Sequence, residues 1–226
     1  MRRLAFLLFI AVGLIAPATA GAIDRTVSVS ATVERQVPND AAEVHFSVSK
    51  ERPGRAAALR IVAVRTQAVI AASQRIPGVG AGDVTTGSIS VRRVERGKRP
   101  IYRASEGVTV VTHSPEAAGD LIAAGVAAGA TSTRGPRFFV SDRETAYNAA
   151  LVEALEKAKA KAGLLAAAAG ATLGPAITIV ESGAITPVEG TRGAAAAPKA
   201  EDAPAPPVKP GRSTVEATVA ATFALE

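Results

Sequence analysis

The sequence predicts an α+β fold, an antiparallel or mixed β-sheet of hairpins packed against two or three helices, one of them long and alanine-rich. Three observations carry the expectation. Apolar and polar residues alternate strictly at both ends of the mature region, apolar residues recur at helical spacing in the middle, and Gly and Pro cut the chain into short elements. The expected order is β-β-α-β-β-α-β-α-β-β.

From Thr26 to Glu34, Val27, Val29, Ala31 and Val33 fall on one face of a strand, with Ser, Thr and Glu on the other. After Pro38, Asn39 and Asp40 the alternation resumes, with Ala42, Val44, Phe46 and Val48 inward and Glu43, His45, Ser47 and Ser49 outward. A β-hairpin is the natural reading of this pair. Between Gly54 and Arg75 the residues Leu59, Val62, Ala63, Thr66, Val69, Ile70 and Ser73 recur as one helical stripe, and Pro77 and Gly78 end it. Two strands follow, TTGSISVRRVE and IYRASEGVTVVTH, joined by Arg96, Gly97, Lys98 and Arg99. The strand, strand, helix grouping at 26–75 thus recurs loosely at 85–128, as two related halves would.

Ser114 and Pro115 read as the cap and first residue of a short helix burying Leu121, Ile122 and Val126. RFFVS, residues 137–141, reads as a buried strand, and Ser141 with Glu144 as the capping box of a long helix ending at Gly170. Along it Glu153 and Lys157 sit in the favourable i, i+4 order, while Ala150, Ala154, Leu155, Ala158 and Leu165 form the packing side. Residues 177–181 are a further strand. In the closing stretch STVEATVAATFALE, Val215, Ala217, Val219, Ala221, Phe223 and Leu225 make an unbroken alternate face, so the C-terminus is structural. Residues 186–211, rich in Pro, Ala and Gly, bury too little apolar surface to offset ordering, and are expected to be a flexible excursion between two strands of one sheet.

The first 22 residues combine basic Arg2 and Arg3, an apolar run from Leu4 to Ile15, and small residues around Ala18, Ala20 and Ala22. That order is a secretory signal peptide, and Pro17 breaks the run before the roughly 20 residues a membrane span requires. No later stretch is expected to span a bilayer. One domain, 23–226, follows, large enough to bury a sizeable core. With no cysteine, packing alone holds it, and thiol chemistry and thiolate metal sites are excluded. The formal charge is +6; without Arg2 and Arg3 it is +4, a mild basic excess that suits anionic lipid or polysaccharide partners. Nucleic acid is not expected, because aromatics are only 4% of the chain and Trp is absent.

Several segments resemble the SIMPL-domain family of bacterial envelope proteins, which includes periplasmic immunogenic antigens and a protein linked to oxidative-stress defence. PNDAAEVHFSV is similar to that family's first hairpin, although Asn39 separates Pro38 from Asp40. GVGAGDVTTGSISV resembles its segment after the first helix, through Gly82, Asp83, Val84 and Thr86. AYNAALVEALEKAKAKAGLLAAAAGATLGPAITIVE, with Lys161-Ala162 and the Gly170 to Gly174 turn, resembles its long helix, and PPVKPGRSTVEATVAATFALE its closing turn and strand. The aromatic residue usual in the family's second hairpin is only partly represented, by Tyr102, and the hairpin tip here is unusually basic. The resemblance implies a periplasmic protein, with association at the outer membrane as a variant, and an indirect part in oxidative or envelope stress. It carries no catalytic residues to transfer.

Candidate sites are few. The basic cluster Arg92, Arg93, Arg96, Lys98, Arg99 and Arg103 has only Glu95 and Glu106 nearby. It reads either as a charged hairpin that blunts edge pairing or as an anion-binding tip carried by Arg96, Lys98, Arg99 and Arg103, suited to lipid headgroups, lipopolysaccharide or an acidic partner. Glu43 and His45 share a strand face, and His113 stands alone, too few ligands for a zinc site. No G-x-S-x-G elbow exposes a serine, and Gly78, Gly80 and Gly82 follow a helix rather than opening one, so they form a turn and not a phosphate cradle. No catalytic site, metal or cofactor is therefore expected. The sequence favours a non-catalytic protein that acts by self-assembly into a homo-oligomer and by binding, against an envelope hydrolase or metal-dependent enzyme assembled from Glu43, His45 or His113. Direct scavenging of oxidants is not expected from one Met and no Cys.

Overall fold

The computed structural model describes residues 25–96, 99–182 and 205–226. The signal peptide read at 1–22, and most of the excursion read at 186–211, lie outside the described residues. The chain is α+β, and its elements are β1 (Thr26–Pro38), β2 (Ala41–Arg52), α1 (Arg55–Ser73), β3 (Val84–Thr86), β4 (Ser90–Arg96), β5 (Arg99–Thr112), α2 (Ala118–Ala127), β6 (Ser132–Phe139), α3 (Arg143–Ala168), β7 (Leu173–Ser182) and β8 (Arg212–Leu225). β3 and β4 pair with one side of β5 and are a single strand interrupted at Gly87, so the element order is the expected one.

Every strand pair is antiparallel, but the strands form two sheets and not one. The first has the order β1-β8-β7; the second has β3-β5-β2-β6, with β4 continuing β3 along β5. The expected β1–β2 hairpin does not form. β1 pairs along its length with β8, from Thr26↔Ala224 to Pro38↔Arg212, while β2 pairs with β5 and β6. The reason lies in the two residues between them. Asn39 donates from Nδ2 to the Pro210 carbonyl at 2.7 Å and accepts from Ser213 Oγ at 2.6 Å, which ties it to the start of β8. Asp40 accepts from the Ser141 amide at 2.6 Å and its hydroxyl at 2.9 Å, which ties it to the approach to α3. Asn39 and Asp40 therefore fix a crossover between sheets in place of a tight turn. For the same reason the groupings at 26–75 and 85–128 are not equivalent halves: only the second contains a paired hairpin.

Two cores follow from two sheets. In the first, Val29 and Val33 of β1 and Val215, Ala217, Val219, Ala221 and Phe223 of β8 pack against Ala150, Ala154, Ala158 and Ala162 of α3. Alanine at every fourth position lets the helix backbone approach the sheet, and the valines supply most of the apolar area, about 1.5–3 kcal/mol for each fully buried side chain. Leu165, expected on the packing side, is 46% exposed, because the stripe of fourth-position alanines drifts around the helix and leaves it on the flank. In the second core, Val44, Phe46 and Val48 of β2 and Val108 and Val110 of β5 meet Ala58, Val62 and Val69 of α1 and Leu121 of α2. Gly125 of α2 lies against Phe46, so close that a Cβ there would overlap the ring unless something shifted.

Helix starts differ in detail from the expectation. α3 is capped by Asp142 and not by Ser141: the Asp142 carboxylate accepts from the Thr145 amide at 2.9 Å. Hydrogen bonds from the Thr145 hydroxyl and, to a lesser degree, its amide hold the Asp142 pKa below the ordinary carboxylate value. Ser141 is turned instead toward Asp40, to which its amide and hydroxyl both donate. At the other end Gly170 adopts φ +72, a left-handed conformation that suits glycine just past a helix end. Ser114 precedes a single 3₁₀ turn, Pro115–Ala117, without capping it by its side chain.

The strand read at 137–141 begins at Ser132, ends at Phe139 and forms the sheet edge; its two Phe residues are only half-buried, and Val140 just beyond it is the buried one. The last seven residues of the segment read as flexible, 205–211, are described, and the Pro206 carbonyl lies against Gly119 of α2. α1, contrary to expectation, is apolar and long enough to cross a membrane by length and composition, although in this fold it lies on the second sheet.

Candidate functional site

The basic hairpin is β4–β5. Its register runs from Ser90↔Ser105 to Arg96↔Arg99, which leaves Gly97 and Lys98 between the strands. Gly97, Lys98 and the side chains of Arg96 and Arg99, three of the four expected tip cations among them, lie outside the described residues. Arg103, the fourth, is not a tip residue. It stands opposite both Arg92 and Glu51, and donates from Nε to Glu51 Oε1 at 2.9 Å, with Nη2 completing the ion pair. Cross-strand pairing has thus drawn it into a neutral pair on the open face of the sheet.

Arg92 shares that open face, whereas Arg93 faces the opposite way beside Tyr102, as strand alternation predicts. On the helix side the Arg55 guanidinium sits 5.1 Å from the centre of the Tyr102 ring, a cation–π contact linking the start of α1 to the hairpin. Tyr102, singled out only as an aromatic by family likeness, therefore has a structural partner that sequence spacing did not reveal.

The acid-base candidates are separated from one another. His45 Nδ1 is 3.0 Å from Thr109 Oγ1 on the open face of the second sheet. Glu43, on the same face, is held by Arg137 of β6, with Nε 3.3 Å from Oε1. His113 lies past the end of β5, where Nε2 is 3.4 Å from Asp83 Oδ1, and the second oxygen of that carboxylate accepts from the Gly80 amide at 2.8 Å. Gly78 and Gly80 lie in the bend that leads toward β3, as read, while Gly82 falls in a 3₁₀ turn, Ala81–Asp83, and the Gly78 carbonyl accepts from the His113 amide at 2.8 Å. Among the described residues no three His, Asp or Glu side chains gather in a way that could hold a metal ion.

The strand that closes the first sheet carries a feature that alternation did not disclose. β7 hydrogen-bonds only to β8 among the described strands, and on it Ile177, Ile179 and Val180 are each more than half exposed. α3 packs on β8 and β1 and touches β7 only slightly, and Ile179, opposite the buried Ala221, is left exposed among the described residues. The register against β8 is irregular between Leu173 and Thr178, the stretch that holds Ile177.

The model of the SIMPL family, described as a protein of unknown function (DUF541), matches residues 27–223, from β1 into β8. The chain belongs to the SIMPL family. The match includes both sheets and all three helices, so the SIMPL unit here is the whole described fold. A comparison with curated proteins found no match.

Proposed function

We propose that this SIMPL protein is an exported, non-catalytic envelope protein that works by self-association and binding, with an indirect part in oxidative or envelope stress. The observation that carries the reading is the β7 edge. A strand with one free edge offers unpaired amides and carbonyls to another chain, and soluble proteins blunt such edges with charge, proline or cover. β7 has its proline at position 175, near its start, and one carboxylate, Glu181, near its end; between them lie Ile177, Thr178, Ile179 and Val180. A second copy that pairs here covers apolar surface and satisfies backbone groups in one step. The signal-like first 22 residues support export, and periplasmic residence follows from it.

Light scattering on the purified protein across micromolar concentrations tests the reading. The expected result is a mass above the monomer that falls when Ile179→Lys places a charge on the edge. A monomer at every concentration would refute it.

A further inference from the structure

We infer that the outward face of α1 docks on an anionic lipid surface. From Arg52 to Gly82 the chain carries five arginines, Arg52, Arg55, Arg60, Arg65 and Arg75, and not one carboxylate. Within that segment α1 is apolar enough to suit a membrane interior, yet only 28% of the stretch is buried. Ala58, Val62, Thr66, Val69 and Ser73 face the sheet. On the far side Arg60, Ala63, Val64, Gln67 and Ala68 are exposed, with Val64 at 66%. Beside this face Ala68, Ala71 and Ala72 meet Ala124 and Ala127 of α2 in an open, mostly apolar groove.

The other exposed helix shows what this chain does with a face meant for water. α3 interleaves both signs, Glu153, Glu156, Lys157, Lys159 and Lys161, and pairs Lys157 Nζ with Glu153 at 3.1 Å. On α1, Arg60 and Arg75 have no ion pair among the described residues, and Arg65 lays its stem against Gly129. An apolar face that carries cations alone matches an interface of headgroup anions over hydrocarbon. A second copy does not fit this face, because two identical surfaces whose only charges are arginines repel. The inference is independent of the β7 reading, since α1 packs on the second sheet and β7 closes the first.

The chain has no Trp, so one introduced at position 64 reports on this face alone. Val64→Trp is mixed with vesicles of phosphatidylcholine, or of phosphatidylcholine with phosphatidylglycerol. The expected result is a blue-shifted emission with the anionic vesicles only, and no shift for a control Trp in place of the equally exposed Val152 of α3. Sedimentation with the same anionic vesicles should weaken by about fivefold for each of Arg60, Arg65 and Arg75 replaced by Gln. Replacing Lys157 and Lys159 of α3 by Gln should cost markedly less. Absence of binding overturns the inference. So does binding without a shift at position 64, which would place the contact at the hairpin, and so does equal loss in the two sets of variants, which would reduce it to net charge.

Discussion

Arg103 and Glu51 stand directly opposite each other on β5 and β2, and the guanidinium gives both Nε and Nη2 to one carboxylate oxygen. The pair is partly exposed, at 40% and 24% of the two side chains, so its worth is that of a surface ion pair. Arg103→Gln should lower stability by about 0.5 kcal/mol in urea unfolding. It should leave any anion affinity of the hairpin unchanged, because its charge is already spent on Glu51. A fall in anion affinity equal to that of Lys98→Gln would return Arg103 to the tip.

The contact between Gly125 and Phe46 is the tightest test of the second core. Gly125→Ala should destabilise by about 1–3 kcal/mol, since the ring is fully buried and has nowhere to move. Phe46→Leu placed on top should recover part of that loss in a double-mutant cycle, although on its own it too destabilises.

Thr66 turns a hydroxyl into the same core, and its oxygen has no hydrogen-bond partner among the described residues. Thr66→Val keeps the shape and removes the orphaned group. Thermal unfolding should show a gain of about 1 kcal/mol.

The Asp142 cap gives a sign for acid sensitivity. Its pKa is lowered in the folded chain by the Thr145 hydroxyl and then its amide, so the cap contributes stability above the ordinary carboxylate pKa and loses it as pH falls through the lowered value. Asp142→Asn, which keeps an acceptor, should remove that pH dependence and leave α3 capped at neutral pH. Asp142→Ala should destabilise at neutral pH and converge with the native protein in acid.

Alternation made the faces of β1, β2 and β8 legible, and fourth-position alanines did the same for α3, because those periods follow from backbone geometry alone. Strand partners were not legible. Nothing in the spacing of Val33, Pro38 and Val44 shows that Asn39 and Asp40 hold different elements and send β1 to β8. Partnering depends on contacts more than 170 residues apart, such as Asn39 with Pro210. The hairpin cluster was visible as composition, but the Arg103–Glu51 pair needed the register of β2 against β5. The exposure of β7 likewise depends on where α3 crosses, which the residues of the strand read at 177–181 do not reveal.

Backbone hydrogen exchange followed over a range of protein concentrations tests the β7 edge most directly. Amides of residues 176–182 should gain protection as concentration rises, while those of β5, already paired on both sides, should hold constant. Exchange in β7 that stays fast at every concentration would contradict self-association through this strand.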